Sequence, residues 1–252
     1  MSIETAASAA FDPQHPTGPS LAVRRKPERQ TDDAAVLDGI LADGAVAHVA
    51  LVRDGFPVVL PYLYGVGDLG DGLGRRLLLH GSTGGGLFLD AGADGVPVSV
   101  AITHLDALVY ARSLHDSSAD YRSVMIAGRA TVVPRALRTE ALWQIGDHLM
   151  PGRRAEVREM TAKEVAATQV LQVPLDRVSV KVRAGGAGED PGDGEDHGVW
   201  AGVLPLAVTA GDPEPSPLSI GAPVPPSVLA AVSRLQQRAI RRGSAVSPAA
   251  AP

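Results

Sequence analysis

Short apolar runs, mostly separated by links too brief to hold a helix, constrain this chain more than any other feature. Residues 45–52 and 57–64 flank Arg53-Asp54-Gly55-Phe56, and Asp-Gly between such runs is a strong hairpin signal. Residues 77–80, 96–103, 107–112, 121–133, 169–174 and 177–182 continue the strand pattern. Helical spacing is confined to fewer places. It predicts a helix over 31–43, with Thr and Asp as caps, Val36, Leu37, Ile40 and Leu41 as the apolar stripe and Gly44 as the stop. Two more helices are predicted over 135–149, ended by Pro151, and over 154–167. A doubly wound sheet needs a helix after nearly every strand. The pattern therefore predicts an α+β protein, an antiparallel sheet or barrel with flanking helices.

Proline marks where that fold ends. Four of the 20 prolines fall in residues 1–30 and eight in residues 211–252. Pro-, Ser- and Ala-rich ends bury too little apolar surface to offset their ordering entropy. Residues 1–30 are expected to be a disordered tail, 31–210 the folded domain, and 211–252 a Pro-rich tether with a C-terminal helix. That helix is predicted over 227–242, with Ser227 as N-cap, Val228, Val232, Leu235 and Ala239 on one face and Gly243 as stop. Docking on the protein, binding a partner or anionic surface, and fraying in solvent are its three readings. An apolar stripe left free would be a liability, which favours docking. Residues 185–198 are glycine- and acid-rich without a periodic apolar face, and read as a loop.

Composition narrows the chemistry. With no cysteine, disulfides, thiolate metal sites and cysteine nucleophiles are excluded. A net charge of −5 offers no broad basic field for nucleic acid. The N-terminus lacks a secretory pattern and no apolar run is long enough to span a membrane, so a cytoplasmic protein is expected. The seven histidines show no H-E-x-x-H or other compact ligand spacing, and no metal site is read from them.

Two glycine stretches remain. Gly65-Val66-Gly67-Asp68-Leu69-Gly70 matches G-x-G-x-x-G, but a dinucleotide fingerprint needs a helix next. Asp71-Gly72-Leu73-Gly74 follows instead, so a hairpin loop is expected. The second stretch is His80-Gly81-Ser82-Thr83-Gly84-Gly85-Gly86. It is open to several readings: a run of backbone N–H groups accepting phosphate, a serine-hydrolase elbow at Ser82 without its first glycine, or a plain connector. A Walker A loop fails because Leu87 and Phe88 stand where Lys and Ser/Thr belong.

The ordered set of Asp54-Gly55-Phe56-Pro57 leading to Pro61-Tyr62-Leu63-Tyr64, then Leu79-His80-Gly81-Ser82, then Tyr121-Arg122-Ser123-Val124 with Gly128-Arg129-Ala130, and finally Ser179 to Arg183, resembles the flavin-nucleotide-binding branch of the pyridoxamine 5′-phosphate oxidase-like superfamily. The nitroimidazole-reductase (Nim) proteins belong to this branch. The resemblance covers about residues 31–185. It implies a split β-barrel homodimer with FMN at the subunit interface, FAD or a deazaflavin being the alternatives. By the same resemblance the backbone of Pro61, Tyr62, Leu63 and Tyr64 lines the flavin, and His80, Gly81, Ser82, Thr83 and Gly84 hold its phosphate. Arg122, Ser123, Lys181 and Arg183 are further contact candidates. Many relatives carry an Arg or Lys pair after the histidine; Gly85, Gly86 and Leu87 stand there instead. Backbone N–H groups, Ser82, Thr83 and Arg122 are then expected to compensate.

The function expected is an FMN-dependent oxidoreductase, with His80 as the candidate catalytic side chain because an imidazole titrates near neutral pH. A nitroimidazole-reductase-like enzyme, a non-catalytic flavin or small-ligand carrier and, more distantly, a Ser82 hydrolase are the alternatives.

Overall fold

The first hairpin turns on two left-handed residues. Asp54 has φ 52° and Gly55 φ 78°, the two positive angles that a type I′ turn requires. The computed structural model describes residues 20–91, 94–188, 192 and 198–245. Along the chain these form β1 (Gln30–Thr31), α1 (Ala34–Asp43), β2 (Val46–Arg53), β3 (Phe56–Gly67), β4 (Arg76–Ser82), α2 (Gly86–Asp90) and β5 (Val96–Tyr110). There follow β6 (Ser118–Val132), α3 (Arg138–Leu149), α4 (Ala162–Ala167), β7 (Thr168–Pro174), β8 (Val178–Arg183), β9 (Gly202–Pro205) and α5 (Pro226–Ala245).

The strands pair antiparallel in the order β1-β8-β6-β7-β4-β3-β2-β5-β9, and β5 also pairs β6, which closes a barrel. β6 is shared: Tyr121–Ile126 pair with β8, whereas Thr131 and Val132 pair with β7. This is the α+β split barrel that the sequence implies. Its interior follows the two-residue period of the strands. Val49, Tyr64, Leu77, Leu79, Val100, Ile102, Val124, Ile126 and Leu171 are buried together there. A second cluster packs α3 on the outside of the sheet, with Ala141 and Ile145 against Leu78 and Val170.

α1 plugs one end of the barrel. Asp33 caps its start by accepting from Ala35 N at 2.8 Å. The last carbonyls of a helix lack intrahelical partners, and here the barrel supplies some. Tyr64 donates its hydroxyl to Leu41 O at 2.7 Å. His104 Nε2 and His148 Nε2 lie 3.0 and 2.9 Å from Ile40 O and Gly44 O. A carbonyl only accepts, so both rings carry their proton on Nε2.

Several boundaries differ from expectation. The runs 96–103 and 107–112 are one strand, β5, with an irregularity between Leu105 and Ala107. Asp106 reads as a break in sequence, but its carboxylate accepts both Arg122 Nε and Nη2 from the next strand. The helix over 154–167 shrinks to α4. Thr161 and Glu164 form a capping box that starts it late, while Glu156 is held by Ser227 N and Oγ at the start of α5. Gly65 and Gly67 are not in a loop but in β3. A Cβ on Gly65 would lie 2.6 Å from Ile145 Cα, so glycine is what lets α3 approach the strand. α2, β1 and β9 were not expected. The N-terminal tail falls largely outside the described residues, as does much of 185–198.

α5 lies against its own chain. Arg238 pairs with Asp43 at 2.9 Å, and the same carboxylate accepts Arg122 Nη1 at 3.1 Å.

Candidate functional site

β4 delivers His80, Gly81 and Ser82 to a turn that leads into α2. Gly81 has a steric reason: a Cβ there would lie 2.3 Å from the Phe88 ring. Phe88 in turn meets Tyr62 edge-on, with ring centroids 5.5 Å apart and planes at 86°. Tyr62, Gly81 and Phe88 therefore form one unit, and Tyr62 ionises above its ordinary value, chiefly through burial.

The turn is not a run of open backbone donors. Thr83 N donates to Ala167 O, Gly84 N to Ser82 Oγ and Gly85 N to Ser82 O. Three of the N–H groups expected to cradle phosphate are thus engaged within the chain. The structure adds a cation instead. Arg53, from the first hairpin, stands so close that a Cβ on Gly86 would lie 2.9 Å from its Nη2. It donates to Asp90 through Nε and Nη2 at 3.0 and 2.8 Å. In sequence Arg53 is only the first residue of a turn, and nothing local points to its role. Ser82 and Thr83 are exposed on this turn.

His80 is half-buried, and its Nδ1 is buried without a hydrogen-bond partner. Burial lowers its pKa below the usual 6.5, so the ring is neutral at pH 7. A buried orphan nitrogen is costly unless something pairs with it. It is the feature that most directly fits a bound polar group.

The other candidates divide by the face they occupy. The register Leu63↔Val46 and Pro61↔His48 puts Pro61 and Leu63 on the outer face of the sheet, where both are exposed. Ser123 pairs with Lys181 and with Thr103, in the row beside Met125 and Ala101 on that face. Lys181 Nζ also reaches Arg25 O at 3.2 Å. Tyr64, by contrast, is fully buried. Arg122 faces the end of the barrel, with its guanidinium held by Asp106 and Asp43. Burial disfavours its charge, but those two carboxylates outweigh it and raise its pKa. Arg183 is paired with Asp120. Thus Tyr62 and Gly81 come together at Phe88, His80 lies on the opposite face of β4 with Leu78 and Val170, Ser82, Thr83 and Gly84 form the exposed turn, Pro61 and Leu63 are on the outer face of β3, and Arg122 and Arg183 are engaged elsewhere.

Three solved structures are instructive. A FAD- and haem-binding protein from Mycobacterium smegmatis is 39% identical, over 80% of this chain and 96% of its own, with a TM-score of 0.73. The flavocytochrome Anf3 from Azotobacter vinelandii is 32% identical, over 82% and 94% respectively, with a TM-score of 0.72. A candidate 5-nitroimidazole antibiotic resistance protein from Bacteroides thetaiotaomicron is 20% identical, over 61% and 86%, with a TM-score of 0.50, and shows the fold alone. No curated protein matches the chain. A pyridoxamine 5′-phosphate oxidase family profile matches residues 33–182, from the cap of α1 into β8, with β2 to β7 inside it. With the split barrel in place and that match spanning more than half of its length, this chain belongs to the pyridoxamine 5′-phosphate oxidase family.

Proposed function

We propose that this protein binds a flavin nucleotide at the turn after β4 and along the adjoining outer face of β3, and uses it in an oxidoreductase reaction. The observation that carries the reading is the orphan Nδ1 of His80, at the head of a turn that Arg53 approaches at Gly86. The likeness at 39% identity to a protein that binds FAD supports it. It also favours FAD over the FMN expected from sequence. The flavin would supply the electron or hydride transfer. His80, neutral at pH 7, would offer a hydrogen bond rather than a charge. Arg53, with Ser82 and Thr83, would hold the phosphates in place of the missing basic pair; a guanidinium suits phosphate oxygens well.

A homodimer is part of the proposal. Val46, Val59, Leu63 and Met125 are exposed large apolar residues on the outer sheet face, and a second copy would cover them. The partners proposed are that second copy and a small-molecule substrate, not nucleic acid or a membrane. Among the described residues no helix is long and apolar enough to cross a membrane. The cytoplasmic setting expected from the sequence is compatible with the absence of cysteine. Nitroimidazole reduction gains no support beyond the shared fold.

An absorption spectrum of the purified protein, with mass identification of whatever denaturation releases, tests the cofactor. Flavin bands and released FAD are expected; failure to take up either FAD or FMN would refute the reading. Flavin that binds but is never reduced by any donor would leave a carrier. Sedimentation that finds a flavin-loaded monomer at micromolar concentration would remove the dimer.

A further inference from the structure

Two apolar surfaces stand open among the described residues. One is the outer sheet face, where Val46, His48 and Val52 are exposed on β2, Val59 and Leu63 on β3, and Met125 on β6. The other is the segment between β9 and α5. It holds six of the 20 prolines, from Pro213 to Pro226. Leu218 is 100% exposed there and Ile220 77%.

This strap is hydrogen-bonded to the rest of the described chain only at its ends. Leu206 N donates to Asp106 O at 2.9 Å before it, and Ser227 N donates to Glu156 Oε1 at 2.8 Å after it. Between them the bonds of residues 211–224 stay inside the segment, from Ser219 N to Ser216 O, Ala222 N to Ser219 O, and between the Ser216 and Ser219 hydroxyls. Its inner side chains close with Arg153 around a hollow of about 370 Å³, and neither Leu218 nor Ile220 is among them. Proline fixes φ along the strap, so seating it on a partner costs less entropy than ordering a free coil.

The outer face carries a groove of about 570 Å³ beside the first hairpin. Ala50, Ser99 and Ala127 pair across β2, β5 and β6 and give it a floor of small side chains. Such a floor leaves room for branched aliphatic side chains. Val52, Pro57 and Pro97 line its apolar end. Arg129 and Arg177 line the other with one carboxylate, Asp176, and the strap opens with two carboxylates, Asp212 and Glu214.

A chain's strap and its own groove stand at opposite ends of β2. α3 ends with His148 at Gly44 O, where β2 begins, and the strap closes over Arg153 just beyond it. The groove reaches Val52 at the other end of the strand, about 20 Å from Val46 at the rise of an extended chain. Two copies packed face to face on a twofold axis that runs across the strands reverse those ends, so the strap of each comes over the groove of the other. The sheet face alone offers roughly four outward side chains from each of four strands, fewer than the about 20–30 residues a side of a standard interface. The strap supplies the remainder. Resting on the homodimer reading given above, we propose that the strap of each copy is seated on its partner. Leu218 and Ile220 then fill the groove over Ala50, Ser99 and Ala127, with Asp212 and Glu214 toward Arg129 and Arg177.

The chain has no cysteine, so an introduced pair reads the contact directly. Full-length chains carrying Leu218→Cys and Ser99→Cys separately, with tags of different size, are coexpressed, oxidised and run on a non-reducing gel. A disulfide between the two chains is expected, and Leu218→Cys alone should give none. A Leu218→Asp/Ile220→Asp variant should raise the dimer dissociation constant at least about tenfold in sedimentation. Because both side chains are exposed, its circular dichroism should match wild type. Wild type that sediments as a monomer would overturn the homodimer reading and this assignment together. A wild-type dimer whose Leu218→Cys and Ser99→Cys chains do not cross-link, or whose Asp variant dissociates as wild type does, would overturn the assignment alone. So would a chain carrying both cysteines that closes its disulfide within itself.

Discussion

Replacing Arg122 by Ala separates what the sequence suggests for this residue from what the structure shows. The sequence makes it a cofactor contact; in the fold it ties α1, β5 and β6 together. Its guanidinium donates to both Asp106 oxygens, at 2.9 and 3.1 Å, and to Asp43 at 3.1 Å. The three side chains are about one-fifth exposed, at 21%, 20% and 21%. Removing one partner of a fully buried pair costs about 3–5 kcal/mol, and an exposed pair contributes about 0–1 kcal/mol. Asp43 keeps Arg238 at 2.9 Å, so most of the loss falls at Asp106. A cost of about 2 kcal/mol follows from these limits. At about 2–4 °C per kcal/mol for a domain of this size, Tm should fall by about 4–8 °C. Thermal denaturation by circular dichroism reads this, with flavin affinity measured in parallel well below Tm. Flavin affinity should stay within about twofold of wild type, and an Arg122/Asp106 double-mutant cycle should return a coupling of about 1–2 kcal/mol. A variant with unchanged Tm and a tenfold loss of flavin affinity would refute the reasoning and put Arg122 back at the cofactor.

Other outcomes follow from the packing and the titrating groups. Gly65→Ala should destabilise by about 2 kcal/mol, because its Cβ meets the Ile145 backbone and overpacking costs about 1–3 kcal/mol. Gly67→Ala should cost about 1 kcal/mol, since it meets only the Gln144 side chain, which can rotate and give its exposed hydrogen bonds to Asp68 O and Glu140 back to water; equal melting temperatures for the two variants would count against the close approach of α3. Burial holds both His80 and His148 below the usual 6.5. The unfolded state therefore binds more protons just under that pH, and stability should be full above about 6.5 and decline as pH falls through the folded values. His148→Gln, which keeps a donor toward Gly44 O, should flatten that decline in urea melts; an unchanged slope would exclude the residue. Deleting residues 226–252 should lower Tm by removing the Arg238–Asp43 and Ser227–Glu156 contacts, with flavin uptake retained. Loss of flavin uptake on that deletion would mean that α5 contributes to the cofactor site.

Much of the architecture is legible in the chain because its causes are local. Asp54-Gly55 specifies its turn within four residues, since Gly readily takes φ > 0 and Asp tolerates it. α1 announces both ends through Asp33 and Gly44. The ordered motifs from Pro61 to Arg183 were enough to place the chain in its family, whose profile spans residues 33–182. What stayed hidden depends on partners far away in sequence. Gly65 is glycine because of Ile145, on a helix that comes much later. α4 starts late while Glu156 serves Ser227, 71 residues on. Arg122 is engaged by Asp43 at a separation of 79, which no motif around Tyr121-Arg122-Ser123 could reveal. Arg53 reaches the turn after β4 only because the hairpin folds back over α2. His48 reads as one more residue of an alternating strand until the register sets it between Pro61 and Ala101, beside a wall of small side chains. Turn and cap chemistry is settled within a few residues of backbone. Which charges are already paired, and which ring is left facing an apolar sheet, is settled only when distant strands close the barrel.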